Sequence, residues 1–251
     1  MTVAIHPDVL ADWGAWSARL EGRVSWPYLD ERGLVTVGIG CLIDPFPLAR
    51  GLLWMRAGVV AKPDQIETEW NRVKAMKAGE VASFYRDALS LHLSDAAIDA
   101  LAAHRLQANA DVLVRYFPDL ATYPAPVQRA LFSIAWACGA GFPPSWPHIT
   151  ACVLRRDWKG AAANATGATL ARERNAAQVA LFLEAAAMED EGPAPKSEPH
   201  APAGCDVRDP APTPPPTSAT DGLASPQDAP AAPAAQWDDV TPANHGGEEG
   251  A

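Results

Sequence analysis

The sequence predicts an α+β fold, mostly helical, with a small β-hairpin region near the N-terminus. Three observations carry this. Apolar residues recur at helical spacing through most of the first 190 residues, one run of β-branched residues reads as a strand, and residues 192–251 cannot form a core. Those last 60 residues hold 13 Pro and 13 Ala, with only Val207, Leu223 and Val240 to represent Leu, Ile, Val and Phe. The expected organisation of the 251-residue chain is one folded domain over residues 1–191 and a disordered, acidic Pro/Ala-rich tail over residues 192–251.

The first element is an amphipathic helix, with Val9, Leu10, Trp13, Trp16 and Leu20 on one face, Pro7 in its first turn and Gly22 as its stop. A turn follows at Asp30-Glu31-Arg32-Gly33, and Leu34-Val35-Thr36-Val37-Gly38-Ile39-Gly40 reads as strand. No other segment is as convincing a strand, so the expected sheet is small. Pro63-Asp64 opens a helix with Ile66, Trp70 and Val73 inward, and Ser94-Asp95 caps another through Ile98, Leu101, Leu106 and Leu113. Pro126 opens a helix over 127–138 that stops at Gly139. Three more are expected over 149–155, 158–165 and 171–188.

Charge and targeting exclude several classes. The tail accounts for −7 of the formal −10, leaving the domain at −3, so no bulk field draws nucleic acid or anionic lipid to it. The uncharged run 130–154 is broken by Gly139, Gly141, Pro143, Pro144 and Pro147 and reads as two buried helices rather than a membrane span. With Arg19 as the first basic residue, and Asp8 and Asp12 interrupting any apolar core, no signal peptide is expected. The protein is read as made in the cytoplasm. Cys41, Cys138, Cys152 and Cys205 form no CxxC and match no metal spacing, even with His104 and His148 counted, so they read as buried thiols. Trp13, Trp16, Trp136 and Trp158 fall on core positions, and Arg172 and Arg174 read as ion-paired surface residues.

Chemistry concentrates between Glu21 and Gly40. One carboxylate ends a helix, where the negative end of the dipole favours its protonated form. Another, Asp30, sits in a polar turn that favours the ionised one. A pair divided in this way meets the requirement for cleaving a glycosidic bond with two carboxyl groups. Taken singly, Glu21 is a solvated helix end, Asp30 a turn former and Thr36 a strand former; the pattern gives them weight. A nucleotide-loop reading of Gly38-Ile39-Gly40 fails, because position 43 is Ile and no helix follows the strand directly.

Glu21-Gly22, Tyr28-x-Asp30 and Gly33-x-x-Thr36-x-Gly38-x-Gly40 together resemble the catalytic signature of phage-type lysozymes, glycoside hydrolase family 24, without a gap across 20 positions. Weaker similarity runs through Gln128 to Gly139, Asp157 to Ala162, and Arg172 to Phe182, so the resemblance covers about residues 8–187. It implies a lysozyme-like fold and cleavage of the β-1,4 bond between N-acetylmuramic acid and N-acetylglucosamine in bacterial peptidoglycan, without metal or cofactor. Glu21 would be the general acid. Asp30 would orient water and stabilise the cationic transition state, and Thr36 would help position the attacking water. The carboxyl groups of an inverting enzyme stand roughly 6.5–9.5 Å apart. Trp26 and Tyr28, at the cleft side, are candidate substrate-binding residues, Trp26 by stacking on a sugar face. Two departures stand out: Cys41 follows the Gly-x-Gly where His or Asn is usual, and Ala137 replaces a usual polar residue two positions before Gly139.

The role implied is that of a phage endolysin or a secreted antibacterial effector, reaching the wall through a holin or delivery machinery. Two alternatives stay open. A lytic transglycosylase uses one acid and releases an anhydro sugar, and a non-catalytic module with this fold would bind peptidoglycan or serve in a virion or secretion machine. The tail is expected to be a flexible spacer, a delivery segment or a solvated extension, with Trp237, its one aromatic, a candidate docking anchor.

Overall fold

The computed structural model describes residues 3–168 and 170–190. Helix α1 (Pro7–Glu21) begins as its proline dictates, with the His6 side chain accepting from the Asp8 amide (3.2 Å). It buries Val9, Trp13 and Trp16, and it ends where Gly22, at φ 76°, takes up a conformation that side chains disfavour. The chain turns directly into an antiparallel sheet of β1 (Val24–Leu29), β2 (Val35–Gly38) and β3 (Cys41–Leu42), in that order. Tyr28, Thr36 and Leu42 stand opposite one another across its three strands and therefore share a face. Asp30 Oδ1 accepts from the amides of Arg32 (2.9 Å) and Leu34 (2.8 Å), which fixes the β1–β2 turn.

A second small sheet follows. After α2 (Phe46–Arg50) come β4 (Trp54–Arg56) and β5 (Val59–Val60), then α3 (Pro63–Lys74) and α4 (Ala82–Arg86), and finally β6 (Leu91–Leu93), giving the order β5-β4-β6. The sequence led us to expect a single small sheet, and this one was missed. Its strands are two or three residues long, too short for an alternating pattern to register. Strand β1 is the first arm of the expected hairpin, though no pattern in the sequence marks its bounds. It carries Pro27, which has no amide to donate, and its pairing with β2 is irregular between Val24 and Tyr28. The expected strand over 34–40 is shorter than its pattern, because residues 39 and 40 form the turn into β3.

The remainder is helical, as expected. Helix α5 (Asp95–Leu113) is capped by Ser94 Oγ, which accepts from the Ala97 amide (3.2 Å). Then come α6 (Ala125–Cys138), α7 (Pro147–Leu154), α8 (Trp158–Ala163) and α9 (Arg172–Asp190). Helix α6 is the hub. It is buried on almost every face from Pro126 to Trp136 and packs on α1, α5 and α9. The uncharged run 130–154 divides at Gly139 (φ 85°) into α6 and α7, and no helix among the described residues is long and apolar enough to cross a membrane. Trp13, Trp16, Trp136 and Trp158 are all in the core. The reading of the cysteines needs one correction: Cys41 and Cys152 are buried, but Cys138, at the end of α6, is exposed. Cys205, Trp237 and the tail lie outside the described residues.

Candidate functional site

Glu21, the last residue of α1, is partly exposed and stands between two supports. The first is the turn at residues 38–40. Gly40 lies so close that a Cβ built on it would meet Glu21 Oε2 at 3.3 Å, and its φ of +63° is a second reason for glycine there. The second support is Arg174, whose Nη2 donates to Glu21 Oε1. Glu21 and Arg174 thus form an ion pair at the C-terminal end of α1.

Arg174 corrects the sequence reading. It is only 7% exposed, not a surface residue, whereas Arg172 is exposed. Arg174 Nη1 donates to the carbonyl (3.1 Å) and the hydroxyl (3.2 Å) of Ser133 on α6, and Gln178 Nε2 donates to the same hydroxyl (3.4 Å). The acid is therefore held from α9 by way of α6. A signal was present in the sequence: Arg174, Gln178, Leu181, Phe182 and Ala185 form one helical stripe, and all five are buried.

Two further contacts fix the turn. Trp136 Nε1 donates to the carbonyl of Ile39 (2.9 Å), and Arg105 Nη1 donates to that of Gly40 (3.2 Å). Arg105 Nη2 also donates to the Trp136 carbonyl (3.3 Å), with its guanidinium carbon 4.8 Å from the centre of the Trp136 ring. Sequence reading gave Arg105 no role.

The other expected residues are distributed as follows. Tyr28 belongs to the Glu21 cluster. Its hydroxyl is pushed up to about 12, first by burial, then by the charges of Glu21, Cys41 and Asp30, with Arg105 opposing. Thr36 lies on the same face, 6% exposed, with its hydroxyl donating weakly to the Leu34 carbonyl (3.4 Å). Asp30 is partly exposed, and its Oδ1 serves the turn. Trp26 stands apart: its Nε1 donates to the Ala82 carbonyl (2.7 Å), and the Arg86 guanidinium lies 5.9 Å from its ring, so it is tied to α4. Cys41 is fully buried, and burial pushes its thiol up to about 11 although Arg105 pulls the other way.

No family model matches the chain, and no curated protein matches it.

Proposed function

We propose that this chain is a peptidoglycan hydrolase, a muramidase that cleaves the β-1,4 bond between N-acetylmuramic acid and N-acetylglucosamine. Glu21 is the general acid, and Asp30 and Thr36 are the groups on the water side. One observation carries the reading. The helix-end Glu21 pairs with Arg174 beside Gly40, and Tyr28 and Thr36 share one face of the adjoining sheet, in the register of the sequence signature. In this mechanism Glu21 gives a proton to the departing glycosidic oxygen, and Asp30 steadies the cationic sugar and orients water. Tyr28, which keeps its proton at neutral pH, is a hydrogen-bond donor and acceptor for the sugar between them.

A second reading, a lysozyme-like module that binds peptidoglycan without cleaving it, takes support from the engagement of Asp30 Oδ1 by two backbone amides. Product analysis decides. Wild type and Glu21→Gln are incubated with purified peptidoglycan, and soluble products are read by mass spectrometry. Reducing-end muropeptides from wild type alone are expected. Anhydro products would make the chain a transglycosylase, and binding to sacculi without release by either protein would leave the non-catalytic module.

A further inference from the structure

The turn at residues 39 and 40 lies between β2 and β3, outside the ladder, and its two carbonyls are held from the helical half of the molecule. Ile39 is held by the indole of Trp136 on α6, and Gly40 by the guanidinium of Arg105 on α5. Arg105 also fastens the two supports to each other, through the Trp136 carbonyl and ring. The backbone so fixed stands as a wall beside the Glu21 carboxyl group, close enough that a methyl group on Gly40 would press on its Oε2. Three elements distant in sequence therefore converge on one carboxyl oxygen without any of these side chains making a hydrogen bond to it.

We infer that Arg105 and Trp136 are positioning residues for the proposed acid. They act through the Gly38–Gly40 turn, and together they set where Glu21 Oε2 stands relative to the bond it protonates. Half-buried Arg105 is suited to this: its planar fork reaches two carbonyls at once, while its stacking on Trp136 confines it to one orientation. Lysine, with a single ammonium head, would hold one carbonyl at a time. A loosened turn lets the wall recede, and the acid moves with it. Displacements of about 1 Å at a reacting group cost on the order of a hundredfold in rate.

This inference rests on the muramidase reading, and its test keeps the two apart. Turnover of soluble glycan strands is measured for wild type, Arg105→Met, Arg105→Lys and Trp136→Phe, well below each melting temperature. The 13C signal of the Glu21 side-chain carboxyl is recorded in parallel on the protein alone. Arg105→Met, which keeps the apolar stem, should lower kcat roughly ten- to a hundredfold with KM within about threefold of wild type. Arg105→Lys should recover part of the loss, and the Glu21 carboxyl signal should move in Arg105→Met. An unchanged kcat in a folded Arg105→Met would overturn the proposal and leave Arg105 a purely structural residue. If Arg105→Met fails to fold, Trp136→Phe decides. It keeps an aromatic ring but removes the indole N–H that bonds the Ile39 carbonyl, along with part of the buried ring, and an unchanged kcat there overturns the proposal equally. If wild type itself turns over nothing, the muramidase reading fails. The positioning claim then stands or falls on whether the Glu21 signal moves.

Discussion

A methyl group on Gly40 would stand 3.3 Å from Glu21 Oε2, on a backbone whose φ of +63° already disfavours a side chain. Gly38 makes a useful comparison, because its φ of +69° is similar but its Cβ would meet Ile98 instead. Gly38→Ala and Gly40→Ala should each cost about 1–2 kcal/mol in urea unfolding. Only Gly40→Ala should also lower glycan turnover, by about tenfold or more, since it alone pushes on the proposed acid. Arg174→Met leaves Glu21 and the Ser133 carbonyl without their partner, so a loss of about 2 kcal/mol and of most turnover is expected, measured by urea unfolding and product release. The alkaline limb of stability has a defined sign. Unfolded Cys41 and Tyr28 lose their protons near 9 and 10, whereas the folded chain holds them to about 11 and about 12. The folded state binds more protons across that window, so its stability is full below about pH 9 and falls as the pH rises towards 12. Comparing urea midpoints at about pH 8 and about pH 11 should show a shallower fall in a Cys41→Ala, Tyr28→Phe double variant. Glu21, Tyr28 and Asp30 were legible because they crowd into one short stretch with a helix stop and a turn between them. Arg174 meets Glu21 across 153 residues, and no local pattern reports a contact of that range.

The elements most legible in the sequence are those whose ends carry their own chemistry. Helix α1 shows both its proline and its stopping glycine, and α5 shows its Ser94 cap. Ser94→Ala should therefore cost about 1 kcal/mol, seen as a lower melting temperature, with turnover unaffected at temperatures where the chain is folded. Phe132 on α6 is fully buried beside Trp13, at 6.0 Å between ring centres, and Phe132→Ala should cost about 3–5 kcal/mol in the same assay. The second sheet hid for the opposite reason. Its strand β6 pairs with β4 across a separation that contains α3 and α4, so its register is set by tertiary packing rather than by a turn. The same holds for the buried carboxylate Glu69 on α3, whose Oε1 accepts from the Ser90 amide (3.0 Å) and the Ser90 hydroxyl just ahead of β6. It ties α3 to that strand by a bond no periodicity announces.

At the scale of the molecule, the helical half built on α6 meets the small sheet of Tyr28 and Thr36 through α5 and the Trp136 bond to the turn, and the composition of residues 192–251 separates them from that core. Deleting residues 192–251 should leave the melting temperature and the glycan turnover of the domain unchanged, and a large loss of turnover would give the tail a direct part in catalysis. One helix has a consequence for how the site responds to motion. Ser133 and Trp136 are three residues apart on α6; one holds the arginine that grips Glu21, and the other holds the wall behind it. Any displacement of α6 carries the grip and the wall together, so it is common to both. The acid keeps its bearing on its surroundings while its distance to anything bound in the sheet changes. In the proposed reaction, such a displacement would change how closely Glu21 approaches the glycosidic oxygen and leave the residue's own setting intact.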